Sequence, residues 1–443
     1  MALLILTARY FYLKKKYRAK PVLSRSKSIL LVVLFAYIGM LAATTLAGRY
    51  SMYARYANFH LFRAWRDAWN NFSQQSWLNV LINIAMFMPL GFILPFLAKK
   101  FRRWFWPLVS GLVLSSAIEA VQYFTGIGLF DVDDIFCNTL GAFLGGSAAL
   151  AILALSEGDS AKWRKFSAFI SIPLIFVLSV SGVFAAYHFK EYGNIPEAPG
   201  YRQYTKNSEW ILNCELSSES GRSAVFKSPG MTRKSADSFA AEFGEAHSFE
   251  ITVADYSDYS AEYRDENTGS SLYINFPDGT YIYEKEQDTP GFTQTDFSES
   301  EVLDALKEFG AAVPSGASFS RDKYGTYIFE AEMLPAPGGM YLGTVSCDLS
   351  ERCEIEKLYM FMVKATECGE EAVISEQKAY ERLVRGDFSG PEWFPGEEPE
   401  SFEITDCSLE YRPDSKGFYR PVYIFEGLAD GYPLGYGLLV LAD

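Results

Sequence analysis

Between residues 79 and 155 the chain places ionisable and carboxamide side chains inside stretches that are otherwise apolar. This combination restricts the possible folds more than any other feature. NVLINIAMFMPLGFILPFLA carries Asn79 and Asn83, and WPLVSGLVLSSAIEAVQYF carries Ser115, Ser116, Glu119 and Gln122. FDVDDIFCNTLGAFLGG carries Asp131, Asp133, Asp134 and Asn138. An apolar run of about 20 residues can cross a bilayer only as a helix, because lipid offers no partner to an open backbone. A carboxylate at bilayer depth costs about 2.5 kcal/mol or more, so such side chains face a protein interior or a wet cavity and often mark function.

Five stretches are long and apolar enough to span: 29–48, 79–98, 106–125, 135–155 and 166–187. Pro89, Gly91, Pro95, Gly141, Gly145, Gly146 and Pro173 within them are ordinary for membrane helices. MALLILTARYFYL at the start is too short to span and has no small-residue cleavage site, so an interfacial segment is expected there. Lys and Arg fix the orientation. Eight precede the first span, and Lys99, Lys100, Arg102, Arg103, Lys162, Arg164 and Lys165 fall on the same side of a five-span chain. The opposite side has Arg49, Arg55, Arg63 and Arg66 in one loop and no basic residue in 126–134. The positive-inside rule then puts the N-terminus in the cytoplasm and the long tail outside the cell.

Charge divides the chain. Residues 1–190 hold 20 Lys+Arg and 7 Asp+Glu, whereas residues 191–443 hold 20 and 47. The split argues for two domains in different environments, and the acidic half argues against nucleic-acid binding. The expected organisation is a basic cytoplasmic segment (1–28), a membrane domain (29–190), a Pro- and Gly-containing linker (191–203) and two external modules (204–295 and 296–443). The fold class is an α-helical polytopic membrane domain of five spans followed by an extracytoplasmic α+β domain with antiparallel sheets.

With this topology the polar residues converge near the outer leaflet. Asn79/Asn83 and Ser115/Glu119 are i, i+4 pairs, Ser116, Glu119 and Gln122 step by three, and Asp134, Asn138, Gly141 and Gly145 share a helix face. The small residues on that face allow close helix approach. Asp134 also stands where a helix N-cap would, and Asp131 and Asp133 where a loop would. The ordered motifs N-x3-N-I-x2-F-x-P-L-G, S-x2-I-E-x2-Q and F-D-x-D-D-I-x2-N-T-L-G-x3-G, with N-F-H-L-F upstream at 58–62, resemble the VanZ-like family. That resemblance covers about 29–155. It implies a membrane fold and an envelope role associated with low-level resistance to teicoplanin, a lipoglycopeptide, but no particular reaction.

Three readings of the cluster are open. Asn79, Asn83, Ser115, Glu119, Gln122, Asp131, Asp133, Asp134 and Asn138 could line a pocket for a membrane lipid, a lipid-linked wall precursor or a lipoglycopeptide tail. Glu119 and the three aspartates could instead hold a divalent metal in a lipid-modifying enzyme, although the cluster has no histidine and no obvious nucleophile beyond Ser115 and Ser116. In the third reading Asn, Gln and Ser simply bond helix to helix. No cofactor and no catalytic residue are assigned. In the loop before the second span, Phe62, Trp65 and Trp69 form a stripe, which reads as an amphipathic interfacial helix.

Beyond Lys190 come alternating strand-like runs, among them SFEITVADY, SLYINF, TYIYEK, TYIFEAEM, MYLGTVSC and SFEITDCSLEYR. Three helical stretches interrupt them, at 233–246, 298–312 and 375–386. Ser298/Glu301 and Ser375/Lys378 stand at two helix starts, and Gly310 and Gly386 at the corresponding ends. ISEQKAYERLVRGDF followed by LEYRPDSKGFYRPVYIFEG resembles the PepSY-like modules of extracytoplasmic bacterial proteins over about 374–443, with a more distant copy at 298–345. This implies a binding or regulatory module, so the alternative to the membrane pocket is an envelope sensor or regulator whose tail binds a protein partner. Cys347 and Cys353 flank DLSER at an expected hairpin, where they either bridge or stay as free thiols.

Overall fold

The structure is a computed structural model that describes residues 24–46, 57–156, 160–203, 205, 207–257, 259–285, 296–391, 393, 398–435 and 437–443. The interfacial segment expected over residues 1–13 lies outside the described residues. The chain divides into two compact units. The first holds Gln75–Phe189 and everything before Arg66, and the second holds Lys190–Asp443 together with Arg66–Gln74.

Among the described residues the membrane unit contains five long apolar helices, α1 (Arg25–Leu46), α3 (Gln74–Leu97), α4 (Phe105–Thr125), α5 (Val132–Leu155) and α6 (Lys162–Phe189). A short helix, α2 (Arg63–Asn71), precedes α3. Mean hydropathy is lowest in α4, at 1.3, because that helix carries Ser115, Ser116, Glu119 and Gln122. Both α3 and α5 begin a few residues before their apolar runs, since polar first turns lengthen a helix without entering lipid.

Helix α5 is the hub: 61% of its apolar window is buried, against none for α6. Glycine makes this possible. A Cβ on Gly141 would sit 1.9 Å from the Ile84 carbonyl oxygen, and one on Gly145 would sit 2.0 Å from that of Met88. From the other side, a Cβ on Gly91 of α3 would sit 1.7 Å from the Ala142 oxygen. The backbones of α3 and α5 therefore touch over successive turns. Gly111 and Gly146 let α4 approach α5, where a Cβ would sit 2.6 Å from the Ala142 side chain and 2.3 Å from the Pro107 ring. Water drives no association between helices in lipid, so this close packing supplies the cohesion. Tyr37 and Leu41 of α1 pack on Phe87, Leu90 and Leu94, and the Tyr37 hydroxyl donates to the Met86 carbonyl at 2.6 Å. Helix α6 buries no residue and exposes Leu174, Ile175, Val177 and Leu178, as a lipid-facing helix does.

Among the described residues the second unit is built on one connected 15-stranded sheet. All its pairs are antiparallel except 209–212 against 401–404. Two of its cores are covered by helices. In the larger, α7 (Arg233–His247) and α8 (Glu299–Glu308) cover strands at 260–265, 270–275, 281–284, 327–336, 339–349 and 355–360, and Tyr263, Leu272, Ile274, Leu306, Phe329 and Leu358 are buried between them. In the smaller, α9 (Glu376–Val384) covers 401–413, 418–429 and 438–441, burying Leu383, Phe388, Phe402, Phe425 and Val440. The expected order of helix followed by antiparallel strands is present at both. Ser298 and Glu301 form a reciprocal capping box, and Ser375 accepts from the Lys378 N–H. Gly310 and Gly386 follow their helices at φ 81° and 82°, the left-handed conformation that glycine adopts without a Cβ clash.

One local expectation is corrected. The stretch 248–252 is not strand, and pairing there begins at Val253. Of the two states left open for Cys347 and Cys353, the structure has both as free thiols: Cys347 is buried in the larger core, and Cys353 packs against it with its Sγ donating to the Glu301 carbonyl at 3.8 Å.

Candidate functional site

The polar residues of the membrane unit assemble at one end of α3, α4 and α5. The chain enters this end through a short parallel pair, β1 (Ala57–Asn58) against β2 (Phe130–Asp131). Asp131 is the N-cap of α5, and its carboxylate accepts from the Asp133 N–H at 2.8 Å. The Asp131 N–H in turn donates to Glu119 Oε2 of α4 at 2.9 Å, and the Asn58 carboxamide donates to Asp131 Oδ1 at 3.2 Å. Burial raises the Asp131 carboxyl above the usual aspartate range, against the lowering effect of the Asp133 N–H, the Asn58 carboxamide and the Arg63 cation.

Asp133 is 1% exposed and caps a different helix: its two oxygens accept from the Phe62 and Ala64 N–H groups, which fixes the start of α2. Asp134 lies in the first turn of α5 and accepts from the Asn83 carboxamide of α3 at 2.5 Å. The N-cap expected at Asp134 is thus Asp131, and Asp133 is a buried capping residue rather than a loop residue. Deeper in the unit, Asn138 donates to Ser115 Oγ at 2.9 Å, and Gln122 donates to the Thr45 carbonyl of α1 at 3.0 Å. The network therefore ties α1, α2, α3, α4 and α5 together at one end. Asn79 is outside it: its side chain is exposed and bonds within its own helix to Gln75.

Ser115, Glu119, Gln122, Asp133 and Asn138 are buried, and two polar atoms there have no hydrogen-bond partner in the protein. They are Asn138 Oδ1 and, on the next residue, Thr139 Oγ1. A buried polar atom without a partner costs about 1–3 kcal/mol, so the site holds unused hydrogen-bonding capacity. Among the described residues no three His, Cys, Asp or Glu side chains are arranged to share a metal ion. The carboxylates are instead spread over separate backbone and carboxamide partners.

Asn58, Arg63, Thr45 and Thr139 join the expected residues; Asn58 and Thr139 stand in the motifs, but nothing in the sequence singles them out. Asn58 and Arg63 lie in or beside N-F-H-L-F, and their role appears only once β1 lies against β2. Trp65 and Trp69, expected as interfacial anchors, make protein contacts. Trp65 meets Trp77 edge-on at 6.4 Å, and Trp69 meets Phe72 at 5.8 Å and lies under Lys190 at 5.7 Å.

Fold and site together define a multi-pass membrane protein with a hydrogen-bonded polar end, followed by a sheet-rich unit. Residues 28–154 match the family model VanZ/LLP1, and that span holds every residue of the network. The resemblance read from the motifs is thereby borne out for this region. No curated protein matches the chain. Among solved structures, the chain is similar to an uncharacterized protein from Eubacterium rectale ATCC 33656, at 13% identity over 52% of this chain and 85% of that one, with a TM-score of 0.26. It is also similar to the YpeB C-terminal domain of Bacillus megaterium, at 12% identity over 48% and 99%, with a TM-score of 0.21. Likenesses at these scores carry no inference about function.

Proposed function

We propose that this chain is a cell-envelope membrane protein that engages an amphiphilic wall component at the polar end of its membrane unit. The ligand would be a lipid-linked precursor or the tail of a lipoglycopeptide, and engagement would lower susceptibility to teicoplanin-type antibiotics. The observation that carries the reading is the unused pair Asn138 Oδ1 and Thr139 Oγ1. Both atoms are buried on α5, and the Asn138 carboxamide lies against Ser115 of α4, one to one and a half turns below Asp134. Glue alone needs no spare acceptor, whereas a binding site does. The distribution of Lys and Arg supports an extracytoplasmic position for this end and for the acidic second unit.

The test is teicoplanin susceptibility of a sensitive Gram-positive host carrying the full chain, residues 1–190 alone, or empty vector, with membrane levels matched. Accessibility of a cysteine tag at each terminus gives the orientation. Protection by residues 1–190, with the C-terminal tag accessible from outside, is the expected result. Protection only by the full chain would move the function to the second unit and favour the regulatory reading, in which a PepSY-like module binds a protein partner.

A further inference from the structure

The helices over the larger core of the second unit leave a cleft of about 800 Å³ between their C-terminal ends and the strands beneath. This lies in the upper part of the range of small-molecule sites, about 300–1,000 Å³. Its floor is aromatic: Phe239, Phe243, Tyr281, Tyr283 and Phe309, with the His247 ring stacked on Phe309 at 3.9 Å and 17°. Burial holds His247 below the usual imidazole range, so near neutral pH it is one more flat uncharged ring.

The rim consists of Glu242, Glu308, Glu354, Lys285 and Arg352. Among the described residues none of these five side chains has an ion-pair or hydrogen-bond partner, and neither does the Tyr281 hydroxyl. Some charged side chains of the same unit are paired, as in Arg420 with Glu371, Arg264 with Asp255 and Arg222 with Glu370. Donors and acceptors without partners thus surround a ring-lined floor.

These features select a chemistry. A purely apolar ligand would desolvate the rim without returning any hydrogen bond. A polyanion would meet three carboxylates and two helix C-termini, both of negative potential. A neutral ligand with a flat C–H face and a hydroxylated edge satisfies floor and rim together. We propose that this cleft binds a neutral glycan segment, with its sugar faces on Phe309 and Tyr281 and its hydroxyls on Glu308, Glu354 and Arg352. The inference stands on the cleft alone and is independent of the reading of the membrane unit.

The experiment titrates the full-length chain, in lipid nanodiscs free of sugar detergents, with four probes. These are a β-1,4-linked N-acetylglucosamine trisaccharide, cellotriose, an anionic trigalacturonate and a neutral tetrapeptide, followed by saturation-transfer NMR. Saturable binding of at least one neutral trisaccharide, with none of the trigalacturonate, is expected. Arg352→Ala and Glu354→Gln, both at exposed positions, should each weaken it about tenfold, as loss of a charged hydrogen bond does. Lys364→Ala, outside the cleft, should leave it unchanged, and melting curves should show all three variants folded. No saturable binding of either neutral trisaccharide, or binding insensitive to both rim variants, overturns the proposal. Preference for the peptide overturns it in favour of a protein partner.

Discussion

Replacing Gly141 by alanine should destabilise the membrane unit, although alanine is the better helix former. Alanine in place of glycine favours a helix by about 1 kcal/mol. At Gly141, however, the new Cβ would lie 1.9 Å from the Ile84 carbonyl oxygen, roughly an ångström inside the 3.0 Å that real Cβ atoms respect. Both sides of that contact are backbone, so no side-chain rotation relieves it and α3 and α5 must part. Overpacking of this kind costs about 1–3 kcal/mol. The same separation stretches the Asn83–Asp134 bond between these helices, and an interhelical hydrogen bond in a membrane protein is worth about 0.6–1.7 kcal/mol. The net loss is about 1–4 kcal/mol. Gly39 and Gly182 are the controls, because a Cβ at either meets nothing within 4 Å. Gly39→Ala and Gly182→Ala should be neutral or stabilising. Unfolding in mixed micelles of rising SDS fraction, followed by tryptophan fluorescence, gives the comparison. Gly141→Ala as stable as the parent would refute the backbone-contact account of α5.

Three further outcomes are expected. Asp133→Ala should free the start of α2 by removing the acceptor for the Phe62 and Ala64 N–H groups, and faster amide exchange over 60–66 would report it. Arg420 is buried and bidentate on Glu371, so Arg420→Ala should cost about 3–5 kcal/mol by leaving a buried carboxylate unpaired, measurable by urea unfolding of the second unit and largely rescued by adding Glu371→Gln. Glu301 is held below its ordinary value of 4.5 by bonds from Ser298, so its stabilising contribution is fully present above that value and is lost as pH falls through the lower folded value. The melting-temperature difference between the parent and Glu301→Gln should therefore shrink on acidification, and Ser298→Ala should cost about 1 kcal/mol at neutral pH.

Much of the membrane unit is readable from sequence because lipid allows few answers: apolar runs become helices, and a glycine face becomes a contact. The polar end was readable as a cluster but not as a wiring pattern. Asp131, Asp133 and Asp134 look alike in sequence, yet Asp131 caps its own helix α5, whereas Asp133 caps α2 and Asp134 binds α3, which depends on segments 69 and 51 positions away. Asn79 and Asn83 share a helical phase, but only Asn83 lies deep enough to reach Asp134; phase gives direction and not depth. In the second unit, strands 221–227 and 363–373 escaped the alternation rule. VKATECGEEAV exposes most of its side chains while its backbone pairs on both sides, with 221–227 and with 339–342. Pairing of that kind leaves no hydrophobic pattern to read. Trp65 and Trp69 lie on the expected short helix 63–71, but their ring contacts with Trp77 and Phe72 could not be read from the stripe alone.

The account's central claim is that the polar end acts on a ligand and does more than hold helices together. Glu119→Gln tests it most directly, because glutamine keeps the shape and an acceptor oxygen for the Asp131 N–H while removing the charge. The measurement is teicoplanin susceptibility of a sensitive host carrying the parent or the variant, at equal membrane levels and with SDS unfolding curves for both. The account predicts matching unfolding curves and a variant no more protective than empty vector. A variant that protects as well as the parent would contradict it and leave the network as glue.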